Sequence, residues 1–104
     1  MKLQFPNEIQ VMSYTFKVTQ DPNNAGGYFS FADGIITIGT KFIKSDPSSV
    51  FNVICHEILE VIHVATCTRY DDNSVGGDYK FFSTHKEFEI NTNLFAVTIQ
   101  KFIK

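Results

Sequence analysis

The segment His56-Glu57-Ile58-Leu59-Glu60-Val61-Ile62-His63 gathers most of the residue types in this chain that could do chemistry. At about 100° per residue, Val50, Phe51, Ile54, Ile58, Val61, Ile62 and Ala65 fill one broad arc of a helix. Asn52, His56, Glu60 and His63 fall on the other side, with Glu57 at its edge. A solvated face usually carries Lys, Arg, Gln and Ser, whereas this one offers metal donors and a carboxylate. Residues four apart lie one turn apart on one face, so His56 and Glu60 can converge on one ion. Glu57, the residue after the first donor, points aside and can reach a metal-bound water without ligating the metal. That is the logic of HExxH, two helical ligands plus a general base, here with Glu in the last place. Glutamate is an acceptable zinc ligand through oxygen at about 2.0–2.2 Å. Its charge makes the ion less electrophilic and its water less acidic.

A third donor must come from His63 or from elsewhere. His63 lies seven residues beyond His56, a rise of about 10.5 Å, which strains two imidazoles converging on one ion. His85 is the better candidate. On a helical wheel it aligns with Phe88, Thr92, Phe95, Ala96, Ile99 and Ile103, a stripe expected to face the first helix. Two donors from one helix and one from the next, with a fourth position left to water, make a catalytic-type zinc arrangement. Zinc is the default for such a donor set, with iron, cobalt and manganese open. A metal-free polar network joining His56, Glu60 and His85 is the alternative. His63 otherwise supports the site or lies on the surface, and Cys55 falls on the apolar side. Tyr70 and Tyr79 can stabilise a developing oxyanion or simply pack.

The positioning elements are a β-rich first half and a helical second half. Alternation from Gln10 to Thr19, with Met12, Tyr14, Phe16 and Val18 on one side, predicts a half-buried strand. Asp21 to Gly27 is dense in turn residues. Tyr28–Ala32 and Ile35–Thr40 read as two strands joined by Asp33-Gly34, a type I′ hairpin signal. Three antiparallel strands without long crossovers follow. Ser45-Asp46-Pro47-Ser48 starts a helix expected over about Pro47 to Thr66. The stretch from Arg69 to Thr84 reads as a long polar connector of the kind that forms lids or binding loops. Ser83 or Thr84 caps a final helix, with Glu87 placed for a capping box.

Composition limits the rest. A chain of 104 residues makes one domain. With 43% hydrophobic and 19% charged residues it can bury a core, which excludes a disordered chain. A net charge of −2 with no basic run argues against nucleic acid. No apolar run approaches the roughly 18 residues of a membrane span. The N-terminus lacks the apolar stretch of a signal peptide. Cys55 and Cys67, about 18 Å apart on one helical segment, cannot bridge each other and suit a reducing compartment. The expected location is cytoplasmic. Eleven Phe and no Trp read as core filler.

His56-Glu57-Ile58-Leu59-Glu60-Val61-Ile62, followed by Thr84-His85-Lys86-Glu87-Phe88 through Leu94-Phe95-Ala96-Val97, resembles small phage and prophage proteins of the zincin-like metallopeptidase type. The resemblance covers about residues 27–104, including the β-hairpin before the first helix. It departs from the pattern at Lys86, at Asn93 and in the long connector. It implies a minimal zincin-like α+β domain over 1–104, with a small antiparallel sheet of about three strands packed on two helices. It also implies His56, Glu60 and His85 as metal ligands, zinc as cofactor, Glu57 as general base, and a peptide or protein substrate in the bacterial host cytoplasm. A substrate strand could add to the sheet edge near Tyr28–Ala32 or Ile35–Thr40. The alternative is a non-catalytic phage protein that uses this scaffold to bind a host or virion protein.

Overall fold

Strand β1 (Glu8–Val11) turns at Met12-Ser13 into β2 (Tyr14–Asp21). The single strand expected from Gln10 to Thr19 is therefore a hairpin with Val11 opposite Tyr14. Met12 adopts φ 56° in the turn and is exposed with Tyr14, while Ile9, Val11, Phe16 and Val18 enter the core. The sequence hid this turn because Met-Ser carries none of the Asn-Gly chemistry such loops favour. The structure is a computed structural model and describes residues 1–71 and 79–104.

From β2 the chain crosses to the sheet edge as β3 (Gly27–Ser30) and returns as β4 (Ile35–Gly39) between β2 and β3. The order is β1-β2-β4-β3, with β2 and β4 parallel and the other pairs antiparallel. The sheet thus has four strands rather than three, and one pair is parallel. The expected hairpin is present, with Gly34 at φ 64° closing it, a conformation costly for residues with a Cβ. Ile36, Thr37 and Ile38 in β4 are all buried, and since successive side chains point to opposite faces, the strand is covered on both faces there.

Helix α1 (Pro47–Ala65) begins at Asp46, whose side chain accepts a hydrogen bond from the Ser49 amide, with Pro47 in the first turn. Val50, Ile54, Ile58, Val61 and Ile62 bury against the sheet and the second helix. By length and composition α1 is apolar enough to match a membrane span, as core helices also are. It ends in a Schellman motif: the Cys67 amide donates to Val64 O (3.2 Å) and the Thr68 amide to His63 O (2.8 Å). Cys67 occupies the left-handed position at φ 60°. Cys55 and Cys67 are both free, and Cys67 lies just beyond α1 rather than on it.

The expected connector is partly ordered as a second sheet, β5 (Arg69–Asp71) paired with β6 (Tyr79–Phe81). Residues 72–78, including Asp72, Asn73, Gly76, Gly77 and Asp78, lie outside the described residues. Helix α2 (His85–Ile99) starts with the expected capping box. Thr84 Oγ1 accepts from the Glu87 amide and Glu87 Oε1 from the Thr84 amide. Its buried face differs from the expected stripe. Asn91, Thr98 and Ile99 are buried, whereas Phe88 and Val97 are 60% and 64% exposed. The core face is rotated by roughly 80° about the helix axis, because two of the inward residues are polar. A short 3-10 helix (Gln100–Phe102) ends the chain's core, with Phe102 edge-on to Phe5. The fold is α+β.

Candidate functional site

Helix α1 places His56 and Glu60 one turn apart, with His56 Nε2 3.0 Å from Glu60 Oε2. One donor atom each from His56, Glu57 and Glu60 lies within 4.8 Å of the others. The structure thus brings together three of the residues singled out in the sequence. His56 is exposed and Glu60 half-buried, while Glu57 is only 5% exposed. Burial raises the Glu57 pKa above the ordinary carboxylate value, His56 and Arg69 pull it down, and Glu60 pushes it up.

Glu57 is covered by the edge strand. A Cβ added to Gly27 would stand 2.8 Å from Val53 Cγ1 and 3.0 Å from Glu57 Cγ, so only glycine lets β3 approach α1 this closely. The result is a cleft of about 230 Å³ lined by Gly27, Tyr28, Phe29, Glu57, Glu60, Arg69 and Tyr79. Among the described residues its β3 wall has no strand partner on its outer side. Of the two expected docking edges, Tyr28 to Ser30 is therefore an edge, and Ile35 to Gly39 is central and already paired on both sides.

Sequence reasoning missed Arg69. It emerges from the Schellman turn on β5, with Nη1 4.0 Å from Glu60 Oε1. Its guanidinium lies 3.6 Å from the Tyr79 ring centroid and 5.5 Å from that of Phe29. The only available signal was its place after the helix end, and that signal says nothing about direction. Tyr79 borders the carboxylate cleft, whereas Tyr70 packs on Phe82 away from it.

His63 joins through a different partner. Its Nδ1 lies 2.6 Å from Oγ1 of Thr68, a fully buried residue, and its ring meets Phe81 edge-on. Thr68 Oγ1 also receives Asn91 Nδ2 (3.4 Å) and contacts Thr66 Oγ1 (3.1 Å), which in turn donates to Ile62 O. Thr68 Oγ1 also donates to the His63 carbonyl oxygen (3.3 Å), so its one proton is shared between that oxygen and Thr66; His63 Nδ1 then donates to Thr68, and His63 Nε2 keeps a lone pair. The ring faces a depression of about 320 Å³ shared with His56, Leu59, Glu60 and Phe81. Desolvation lowers its pKa, against an opposing pull from Glu60.

His85 is not brought to this group. Its side chain is 85% exposed and Nδ1 lies 3.6 Å from Glu89 Oε1 on its own helix. The rotation of α2 that buries Asn91 and Thr98 turns His85 away from α1. Cys55 is half-buried against the core, as its place on the apolar arc implied. No family model, no curated protein and no solved structure matches this chain.

Proposed function

We propose that this chain is a metal-dependent hydrolase of peptidase type, with His56 and Glu60 holding a divalent ion and Glu57 serving as general base. The observation that carries the reading is the convergence of His56, Glu57 and Glu60 beside a strand edge that is unpaired among the described residues. One imidazole and carboxylate oxygens fit zinc or a neighbouring divalent metal. When bound, such an ion supplies Lewis acidity for the scissile carbonyl. Glu57 takes a proton from the attacking water, whose oxygen adds to the carbonyl carbon, and returns it to the leaving amine nitrogen. Burial raises the pKa of this carboxyl above the ordinary value, which strengthens it as a base for the first transfer. The β3 edge holds an extended peptide by main-chain hydrogen bonds, which makes a peptide or protein the expected substrate.

A second reading, a partner-binding protein of phage type on the same scaffold, is favoured by the position of His85, which leaves the grouping one histidine short of the expected ligand set. Elemental analysis of protein purified without a chelating tag separates the two. About one equivalent of zinc in the wild type, near none in His56→Ala, and peptide hydrolysis lost in Glu57→Gln with metal retained are expected for the enzyme. No metal after zinc is added back sinks it.

A further inference from the structure

We infer that Arg69 is a carboxylate-recognition residue, and that the cleft takes a peptide whose C-terminal residue is apolar or aromatic; the peptide class rests on the hydrolase reading above. The Arg69 side chain is 17% exposed, yet its guanidinium has five N–H donors to satisfy. Among the described residues its carboxylate neighbour is Glu60 at 4.0 Å, too long for a hydrogen bond, and the other Glu60 oxygen is held by His56. The Tyr79 and Phe29 rings flank the guanidinium carbon, and among the described residues no hydrogen bond occupies its N–H groups, which leaves them for a ligand.

Arg69 is also the wall between two depressions. On one side are Glu57 and Glu60 against the β3 edge. On the other lies a wider depression of about 520 Å³ lined by Phe29, Phe31, Val64, Tyr70 and Tyr79. A terminal residue therefore places its carboxylate on Arg69 and its side chain among these rings. The peptide bond before it then lies on the side of Glu57 and Glu60.

Charge sets the strength of this recognition. In the metal-free cleft the Glu57 and Glu60 carboxyl groups weaken the hold of Arg69 on a ligand carboxylate without removing it. A divalent cation on His56 and Glu60 offsets that weakening and draws Glu60 away from Arg69. Metal and terminal carboxylate are expected to bind with positive coupling.

The test is an NMR titration of the full chain with stoichiometric zinc, using N-acetylphenylalanine and N-acetylphenylalaninamide. The acid is expected to bind at least about tenfold tighter than the amide, in line with a charge-assisted bidentate pair. Arg69→Gln is expected to abolish that preference with zinc content unchanged. Arg69→Lys, which keeps the charge and loses the fork, retains part of it and serves if the Gln variant does not fold. The α-amide of N-acetylglutamate carries its carboxylate on a side chain; binding as tight as the phenylalanine acid would overturn the terminal assignment. Equal binding of acid and amide, a preference that survives Arg69→Gln, or no binding of either also overturns the proposal. If zinc does not bind, the hydrolase reading fails by itself. The same titration without zinc then decides on Arg69: a preference removed by Arg69→Gln keeps the carboxylate site, and no preference ends it.

Discussion

Gly27 and Glu57 touch where the edge strand crosses the helix, and the missing side chain of one sets the position of the other. A Cβ on residue 27 would meet Val53, Glu57 and the Thr37 carbonyl oxygen, all within 3.0 Å. Gly27→Ala must therefore push β3 off α1 or displace Glu57 from beside His56 and Glu60. Overpacking of this kind costs about 1–3 kcal/mol. Urea unfolding should show that loss. Zinc uptake and any hydrolysis should fall with it, because the same contact positions the carboxylate. An Ala variant as stable as the wild type would mean that β3 is not packed this closely.

The burial of Glu57 has a pH signature in the metal-free protein. Its folded pKa is raised, chiefly by desolvation, above the 4.5 of an unperturbed carboxyl. As pH rises past 4.5, the unfolded chain releases its proton first and gains an advantage. Stability is lost from there up to the folded pKa and is flat beyond it. Glu57→Gln removes this loss, so its stability relative to wild type should improve on going from pH 4 to pH 7. His63 acts in the opposite sense. Its lowered pKa contributes stability that is present above 6.5 and lost as pH falls below it. The comparison must therefore be made between the two proteins at each pH, not on the wild type alone. A difference that does not change with pH would show that Glu57 is solvated.

The local parts of this architecture were legible in the sequence because each has a local cause. Asp46 and Pro47 start α1, Thr84 and Glu87 box the start of α2, and Gly34 closes a hairpin. The spacing of His56, Glu57 and Glu60 also sufficed, since one helix carries all three. What failed depended on contacts distant in sequence. Asn91 is buried because it meets Thr68, 23 residues away, and an apolar stripe cannot reveal such a residue. The inward face of α2 includes Asn91 and Thr98, and His85 lies off it, exposed, rather than at the place the wheel gave it. The parallel pairing of β2 with β4 is likewise a choice between strand orders that alternation leaves equal. Arg69 reads as loop polarity until Phe29 and Tyr79 close on it.

The Schellman turn after α1 supplies the last prediction. Cys67 holds φ 60°, where an L residue pays roughly 1–2 kcal/mol and glycine pays nothing. Glycine has its own cost, because its unfolded chain is freer by about 0.5–1 kcal/mol. The strain relieved exceeds this cost by a small margin. Cys67→Gly should therefore stabilise the fold by up to about 1 kcal/mol, read as a higher urea midpoint with an unchanged slope. The exposed thiol makes no hydrogen bond that offsets the gain among the described residues. The turn also delivers Thr68 to His63 and Arg69 to Glu60, so zinc content and carboxylate binding should be unchanged in the variant. A destabilised Gly variant would mean that Cys67 contributes packing against Val64 and the aromatic depression worth more than the strain it carries.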